Sequence, residues 1–553
     1  MTLRPPALSL RWIAPLAAII ALASAPPARA KPPTLTGLFP AGAARGQSLS
    51  VAMSGTFDNW PVDCRVEGEG LSVKPGEEKG TLLVEVADDA RPGLRWIGLH
   101  DKEGATSLRP FVVGSLPELV EVEPNDDPRQ PQTIDEPRVV VNGRLAKAGD
   151  VDGFAVTLES GQTLAADLEA NRHIGSPMDG VLQVVSPEGF VLEQNDDAVG
   201  RDPRILFQAP AAGTYIVRLF AFPAQPDSSI RFSGSDAYIY RLTLTTGGFI
   251  EHAFPLAVAP ESSAEIRAVG PNIPEADAVL SVPADDDAIG PLVLTHPSLA
   301  GGAEVRRVDG PATVEVEPND PDNAPELPDR GWVSGRIDPP GDRDAYRISL
   351  KKGDKRFIQA ESRSLGLPLD AVLKILGPDG KTLAENDDAG RGSRDPALTF
   401  TAPDDGEYRV VVADLYGRGS PNHAYLLGIS VPEPDFAASL ATDVFNLTPG
   451  TETKVTVAIN RKNEFAGEIE VTADNLPEGV SATKVVSKTG DDSAKSVTIE
   501  LRAEGSSAAS APFRVVARPV DGETPEQTVP AKIAGFEDVE TNRPWLAVLP
   551  KPE

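Results

Sequence analysis

The chain has 553 residues, with 53 prolines, 49 glycines and aromatic residues at only 5%. A chain of this length is too long to fold around a single hydrophobic core, so about four or five domains of ~100–150 residues are predicted. The 52 basic and 82 acidic residues give a net charge of −30, which argues against nucleic acid as a partner and attracts divalent cations. The same acidity would also serve simply to keep a secreted protein soluble.

The first 30 residues have the pattern of a signal peptide. Two arginines precede or begin an apolar stretch from Trp12 to Ala25, which is too short to span a bilayer comfortably. Ala28-Arg29-Ala30 supplies a small-residue cleavage site. We therefore expect a secreted, periplasmic or cell-surface protein with no membrane span after cleavage. An uncleaved anchor is the alternative.

An internal repeat is the strongest signal in the sequence. The phrase VEVEPND occurs at Val120–Asp126 and again 194 residues later, at Val314–Asp320. Further blocks then follow in the same order in both copies. These blocks, first copy before second, are Gly149–Phe154 and Gly341–Tyr346, Asp179–Leu182 and Asp370–Leu373, Pro187–Gly189 and Pro378–Gly380, Glu193–Asp197 and Ala384–Asp388, Asp202–Pro203 and Asp395–Pro396, and Ala209–Tyr215 and Ala402–Tyr408. A period near 194 is far longer than that of solenoid repeats and indicates duplication of whole domains.

Apolar residues alternate within each copy, as in Phe154, Val156 and Leu158. Such runs, separated by turn signals about every ten residues, predict antiparallel sandwiches. We predict an all-β chain of tandem β-sandwiches, jelly-roll-like and immunoglobulin-like. The predicted parts are a signal peptide (1–30), an Ig-like first module (31–117), the first repeat (118–248), a diverged Ig-like middle module (249–312), the second repeat (313–432), an Ig-like last module (433–540) and a tail (541–553).

The motifs E-x-E-P-N-D, D-x-D-x-[FY], N-D-D and A-P-x-x-G-x-Y occur in this order in both repeats. Together they resemble the bacterial pre-peptidase C-terminal (PPC) domain, a calcium-associated, jelly-roll-like sandwich found beside secreted peptidases and in large surface proteins. The resemblance covers 118–247 and 313–431, under half of the chain. It implies that the linker before each sandwich and an early aspartate pair supply calcium ligands. The phrase Leu476–Val480 is similar to extracellular bacterial Ig-like modules.

Acidic residues and asparagines concentrate in each linker and in each D-x-D pair. Alternation places Glu121 and Glu123 on one face of an extended segment, and likewise Asp150 and Asp152. If the linker docks on the D-x-D turn, about four to six oxygens converge, as Ca²⁺ prefers. Without a cation, two carboxylates ~5 Å apart repel by roughly 3 kcal/mol at an effective dielectric near 20. The candidate metal ligands are Glu121, Glu123, Asn125, Asp126, Asp150 and Asp152, and Glu315, Glu317, Asn319, Asp320, Asp342 and Asp344.

A metal-free interpretation of these acids also remains open. Asp and Asn also mark solvated turns for backbone reasons, without any metal.

A third set lies in loops: it is predicted either to bind a second cation or to clamp the loops through Asx turns. This loop set is Asp179, Asn195, Asp196, Asp197 and Asp202, and Asp370, Asn386, Asp387, Asp388 and Asp395.

Recognisable catalytic motifs are missing from the sequence. No two of the five histidines lie within five residues of each other, and there is no G-x-S-x-G or Walker sequence. Cys64 is the only cysteine, so it cannot form an intramolecular disulfide. We therefore expect a non-catalytic binding or structural protein that presents its loops to an extracellular protein or polysaccharide. The alternative is an accessory protein of secreted proteolysis or matrix binding that acts with a separate peptidase.

Overall fold

The computed structural model describes residues 31–550, apart from 226–230, 260–264, 283–289, 391, 504–509, 521, 523–524 and 537–538. The predicted signal peptide and the last three residues of the predicted tail lie outside the described residues. Strands in successive packed sheets make up nearly all of the regular secondary structure of the described chain, which confirms the all-β fold class. Within the described chain, no helix has the length and apolar character needed to cross a membrane.

Helical turns are short and few among the described residues. They are one α-helical turn at Asn171–Ile174 and three 3₁₀ turns at Glu275–Asp277, Arg363–Leu365 and Asp492–Ala494.

The first module consists of two sheets that enclose a core around Val51, Leu82 and Phe111. One sheet has the strand order Thr34–Phe39, Ser48–Thr56, Thr81–Val86, Leu71–Pro75. The other has the order Gly42–Ala44, Arg109–Gly114, Gly93–Asp101, Asp63–Glu67, with Gly104–Ala105 beside Gly93–Asp101.

The two repeats have the same sheet topology, as their shared motifs predict. In the first repeat the sheets are Glu118–Val120, Arg138–Arg144, Ile239–Thr245, Thr163–Glu169, Arg204–Gln208, and Gln132–Ile134, Asp152–Leu158, Gly213–Pro223, Met178–Val185, Val191–Asn195. In the second they are Ala312–Val314, Gly331–Arg336, Ala424–Ser430, Lys355–Glu361, Ala397–Thr401, and Arg343–Leu350, Gly406–Asp414, Ala371–Leu376, Thr382–Asn386. A single parallel bridge between Glu326 and Arg347 stands where the first repeat has the strand Gln132–Ile134.

Alternation explains how each repeat builds its core. Tyr215, Val217 and Leu219 are buried in the core between the two sheets of the first repeat. Tyr408 and Val410 occupy the same places in the second repeat. Each linker then joins the edge of its sandwich: Glu118–Val120 pairs in parallel with Arg138–Arg144. The linker acids are thereby carried onto the sandwich surface.

The middle module is small, and its core surrounds Ile250, Ile266 and Val305. Its strands form three small sheets. Their strand orders are Phe249–Ile250, Ala300–Gly301; His252–Phe254, Ile266–Val269, Val279–Leu280; and Ala257–Val258, Ala303–Arg307, Gly290–Leu294.

The last module has three sheets around a core that includes Phe436, Val455 and Phe513. These sheets are Val480–Ala482, Ser496–Ala503, Glu452–Lys462, Asp435–Leu440, Ala531–Lys532, Glu540–Thr541; Val444–Leu447, Trp545–Val548, Ser510–Pro512; and Val485–Ser487, Ile469–Asp474, Arg514–Pro519, Gln527–Thr528. The sequence predicts a tail over residues 541–553, outside the last module. Their described part instead contains a strand of this module, because Leu546 and Val548 are buried in its core.

Candidate metal centres

The linker acids and the D-x-D pair meet in the first repeat. Glu123, Asp126, Asp150 and Asp152 each offer one oxygen, and these oxygens all lie within 4.8 Å of one another. The linker brings the first two, and the start of the strand Asp152–Leu158 brings the others. Four carboxylates at this spacing repel one another unless protons or a cation neutralise them.

The hydroxyl of the buried Tyr240 links the cluster to a further carboxylate, that of Glu121. The hydroxyl of Tyr240 lies 2.5 Å from Asp152 Oδ2 and 2.9 Å from Glu121 Oε2. Glu121 is also fixed from the backbone, since the amide of Arg144 donates to its Oε1 at 2.7 Å. Burial raises the pKa of Glu121 to about 7. Burial, with the charge of Glu121 beside it, raises the pKa of Asp152 to about 9.

Polar atoms without protein partners lie beside the same cluster. Asn125 is 1% exposed, and neither its side-chain oxygen nor its nitrogen has a hydrogen-bond partner among the described residues. The same is true of one oxygen of Asp152, whereas the oxygen of Asp150 that lacks a hydrogen bond is ion-paired with Lys147. Buried polar atoms normally have partners, so these atoms fit a site that takes a further ligand. The chain supplies one cation nearby: Lys147 Nζ lies 3.4 Å from Asp150 Oδ1.

The second repeat has a smaller cluster of the same kind. Glu315, Glu317 and Asp344 each offer one oxygen, all within 4.8 Å of one another. The hydroxyl of Tyr425 lies 2.5 Å from Asp344 Oδ2 and 3.5 Å from Glu315 Oε2. Burial raises the pKa of Asp344 to about 9 and that of Glu315 to about 7.

The side-chain amide of Asn319 faces this second cluster. One end of the amide lies 3.2 Å from both carboxylate oxygens of Glu317 and 3.1 Å from Asp344 Oδ1. Because all three of these atoms are acceptors, the hydrogen-bonding pattern places the amide nitrogen at this end, as the donor. Turning the amide would present its oxygen to a cation held by the same acids.

Two predicted ligands of the second repeat lie outside this group of three. Asp320 caps its own turn, accepting the backbone amides of Asp322 and Asn323 at 3.0 and 3.2 Å. Asp342 accepts the amides of Asp338 and Arg343 at 3.2 and 2.8 Å. For these two residues the turn interpretation describes what the structure shows. The two repeats therefore differ, because Asp126 and Asp150 belong to the first cluster.

The loop set divides in the same way. Asp202 accepts three consecutive backbone amides, at residues 170–172, and Asp395 does so at residues 362–364. Asn195 and Asn386 likewise hold the next strand by accepting the amides of Arg204 and Ala397. These four side chains clamp loops, whereas the paired aspartates after each asparagine are exposed.

The acidic motifs alone do not indicate the two tyrosines or the glycines beneath them. A Cβ on Gly143 would stand 2.1 Å from the Tyr240 hydroxyl, and one on Gly335 would stand 2.3 Å from that of Tyr425. Only glycine permits this close approach. Both pairs occur at matching places in the two repeats, so extending the repeat alignment beyond the acidic blocks would have revealed them.

The fold and these clusters define an all-β, multi-domain chain with two acidic centres, and known families agree with the repeats. The family model of the bacterial pre-peptidase C-terminal domain matches residues 150–221 and 342–414. Each match begins at the D-x-D pair and ends in the strand that carries the A-P-x-x-G-x-Y tyrosine. These matches support tandem PPC domains within the chain.

One curated relative is the "Probable subtilase-type serine protease" of Deinococcus radiodurans. It is 35% identical over 104 residues, which are 18% of this chain and 14% of the protease. The chain therefore spans only a small part of that relative's length.

Similar solved structures include an M60 catalytic domain with two CBM51 domains from Clostridium perfringens, at 10% identity over 69% of this chain and 53% of that one, with a TM-score of 0.13. A Salmonella alpha-2-macroglobulin mutant is 12% identical over 88% of this chain and 39% of that one, with a TM-score of 0.15. TM-scores this low carry no argument about the present chain.

Proposed function

We propose that each repeat binds one Ca²⁺ at its acidic centre and that the ion fastens the linker to the sandwich. The observation that carries this proposal is the convergence of oxygens from Glu123, Asp126, Asp150 and Asp152, all within 4.8 Å of one another. All the candidate ligands are carboxylate or amide oxygens, without sulfur or imidazole. Such a set suits a hard cation with several oxygen ligands, and a flexible shell of this size favours Ca²⁺ over Mg²⁺.

In the first repeat, Glu123, Asp126, Asp150 and Asp152 would hold the ion, with the orphaned oxygen of Asn125 as a further ligand. Lys147 is two-thirds exposed at its side chain and can swing into solvent when the ion enters. In the second repeat, Glu315, Glu317, Asn319 and Asp344 would do so. The ion would offset the cost of burying these acids in their charged form, which is the main cause of the raised pKa values of Asp152 and Asp344.

We further propose that the whole chain is a secreted, non-catalytic accessory or binding protein, placed in the periplasm, at the cell surface or outside the cell. Its support is the tandem PPC domain and the partial likeness to a protease of subtilase type. The sandwiches would present their loops to an extracellular protein or polysaccharide while calcium fixes the linkers. The alternative, an accessory role in proteolysis or matrix binding beside a separate peptidase, draws on the same likeness.

Titration calorimetry of the metal-free protein with Ca²⁺, together with elemental analysis, tests the calcium proposal. Two ions per chain are expected, with Mg²⁺ binding more weakly. The variant Asn319→Asp sharpens the test, because an added carboxylate should strengthen calcium binding at the second centre. If the second centre binds no calcium, Asn319→Asp should only destabilise the protein, because the added carboxylate would face Glu317 and Asp344 without a donor or a cation.

The non-catalytic proposal has its own test. Casein, gelatin, ester and glycan substrates should remain intact after prolonged incubation with the calcium-loaded chain. Turnover that disappears on mutation of one residue would overturn it.

A further inference from the structure

A polar cavity of about 290 Å³ lies where the two repeats and the middle module meet. It is distinct from both acidic centres. The charged and polar side chains that line it are Asp197 and Arg204 from the first repeat, Glu251 and His252 from the middle module, and Arg363 and Asn422 from the second repeat. Leu206 and Leu367 add apolar wall. The volume lies at the small end of ligand sites.

Arg363 is a cationic side chain of this cavity that has no anionic partner among the described residues. Its backbone amide donates to Asp395 at 2.8 Å, which fixes the start of its 3₁₀ turn. Among the described residues its guanidinium forms no ion pair, and its Nε is buried without a hydrogen-bond partner. Arg204 is different, because its Nε is held by Asp167 at 2.6 Å. A guanidinium left free beside a cavity suits a carboxylate, which it can bind through two parallel hydrogen bonds.

Two carboxylates face the cavity as well. Glu251 accepts a hydrogen bond from the amide nitrogen of Asn422 at 3.4 Å. Neither Glu251 nor Asp197 has a cationic side chain within ion-pair distance in the described part of the chain. These acids come from the middle module and the first repeat, whereas Arg363 comes from the second repeat. The lining therefore offers charges of both signs from separate modules.

His252 adds a buried polar group to the lining. It is 5% exposed, and its Nε2 has no hydrogen-bond partner among the described residues. Burial, with Arg336 and Arg204 nearby, lowers the pKa of His252 to about 4, so that the ring is neutral. A neutral imidazole left unpaired at this depth is a hydrogen-bonding group for a ligand.

We propose that this cavity binds a small zwitterion, a free α-amino acid or dipeptide with an apolar side chain. Its carboxylate is bound by Arg363, its ammonium group by Glu251 and Asp197, and its side chain lies against Leu206 and Leu367. His252 forms a hydrogen bond with the same ligand, as donor or as acceptor. The site exists only when three modules are in place, so binding also depends on their arrangement. None of this rests on the proposed calcium function.

The test is calorimetry on the full chain with four probes: L-leucine, leucyl-leucine, N-acetyl-leucine and leucinamide. The two zwitterions should bind, and each probe that lacks one charge should bind about tenfold more weakly or worse, because a charge-assisted hydrogen bond is lost. Arg363→Gln should weaken leucine by a similar factor. Arg394→Gln, at an exposed arginine of the same repeat outside the cavity, should leave it unchanged.

Three results would overturn the proposal. The first is no heat and no protection of the chain by any probe. The second is equal binding of leucine and N-acetyl-leucine, which would make the site a simple anion site. The third is unchanged leucine binding by a folded Arg363→Gln protein. The ligand series on the natural chain decides the question even if that variant fails to fold.

Discussion

Asp443 of the last module accepts a hydrogen bond at 2.6 Å from the hydroxyl of Ser107, which lies 336 residues earlier in the first module. The carboxylate is completely buried. Its other oxygen accepts the amide of Leu108 at 3.2 Å and lies 3.5 Å from the guanidinium of Arg65. The ring of Trp545 covers that guanidinium at 4.8 Å. The two ends of the described chain are thus packed against each other.

Asp443→Ala should separate the first module from the last. The substitution leaves the buried guanidinium of Arg65 with Glu67, at 3.7 Å, as its remaining carboxylate partner. The expected cost is therefore below the ~3–5 kcal/mol of a buried charge left wholly unpaired. A larger radius of gyration in small-angle scattering and faster proteolysis between modules are expected. Asp492→Ala, at an exposed aspartate of the same module, is the control and should change neither. An unchanged radius for Asp443→Ala would contradict the closed arrangement.

Calcium should stabilise the chain against heat. An ion that binds only the folded state contributes about 2.7 kcal/mol at a hundredfold excess over its Kd. Calorimetric scans in chelator and in millimolar Ca²⁺ should differ by several degrees for the repeats. The same scans in Mg²⁺ provide the comparison, with a smaller shift expected. Superimposable scans in chelator and Ca²⁺ would leave only the solvated-turn interpretation.

Each centre should protect its own linker. Asp152→Asn removes a charged oxygen from the first centre, and Asp344→Asn does so in the second, while both keep the side chain's shape. Limited proteolysis in calcium should cut near Glu123 in the first variant and near Glu317 in the second, because ordering of a linker depends on the metal it helps to bind. Opening of both linkers in either variant would show that the centres are not independent.

The first aspartate of each D-x-D pair should matter in one repeat only. Both aspartates accept two local backbone amides, but Asp150 also belongs to the first oxygen cluster, whereas Asp342 lies outside the second. Asp150→Asn should therefore weaken calcium binding about tenfold, as expected for loss of one charge-assisted contact. Asp342→Asn should leave it nearly unchanged. Equal losses in calorimetric titrations of the two variants would refute this difference.

The metal-free protein should lose stability as the pH rises. Burial raises the folded-state pKa of Asp152 and of Asp344 from 3.8 to about 9. A raised folded-state pKa gives stability that is present below the unfolded value and is lost as pH rises toward about 9. The melting temperature in chelator should thus fall as the pH is raised from about 5 to about 9. Saturating Ca²⁺ should flatten the dependence, since the ion replaces the protons.

Local patterns in the sequence predicted the all-β class, the two-copy organisation and the approach of Glu123 to Asp152. Alternation and the repeated acidic blocks are local signals, and duplication made them visible. Two features depend on contacts between distant residues, which local patterns do not indicate. Tyr240 reaches Glu121 across 119 residues, and Asp443 meets Arg65 across 378. The difference between Asp342 and Asp150 is also not visible in their shared motif, since both accept local amides and only Asp150 belongs to an oxygen cluster.

The tyrosine at each centre has a consequence for observation. The rings of Tyr240 and Tyr425 are buried in the cores of their repeats, while their hydroxyls touch Asp152 and Asp344. A phenol that donates to a carboxylate changes its near-ultraviolet absorption and emission when that carboxylate is taken by a metal. Filling of the proposed calcium sites would therefore be observable through the chain's own chromophores, one in each sandwich, without an added dye.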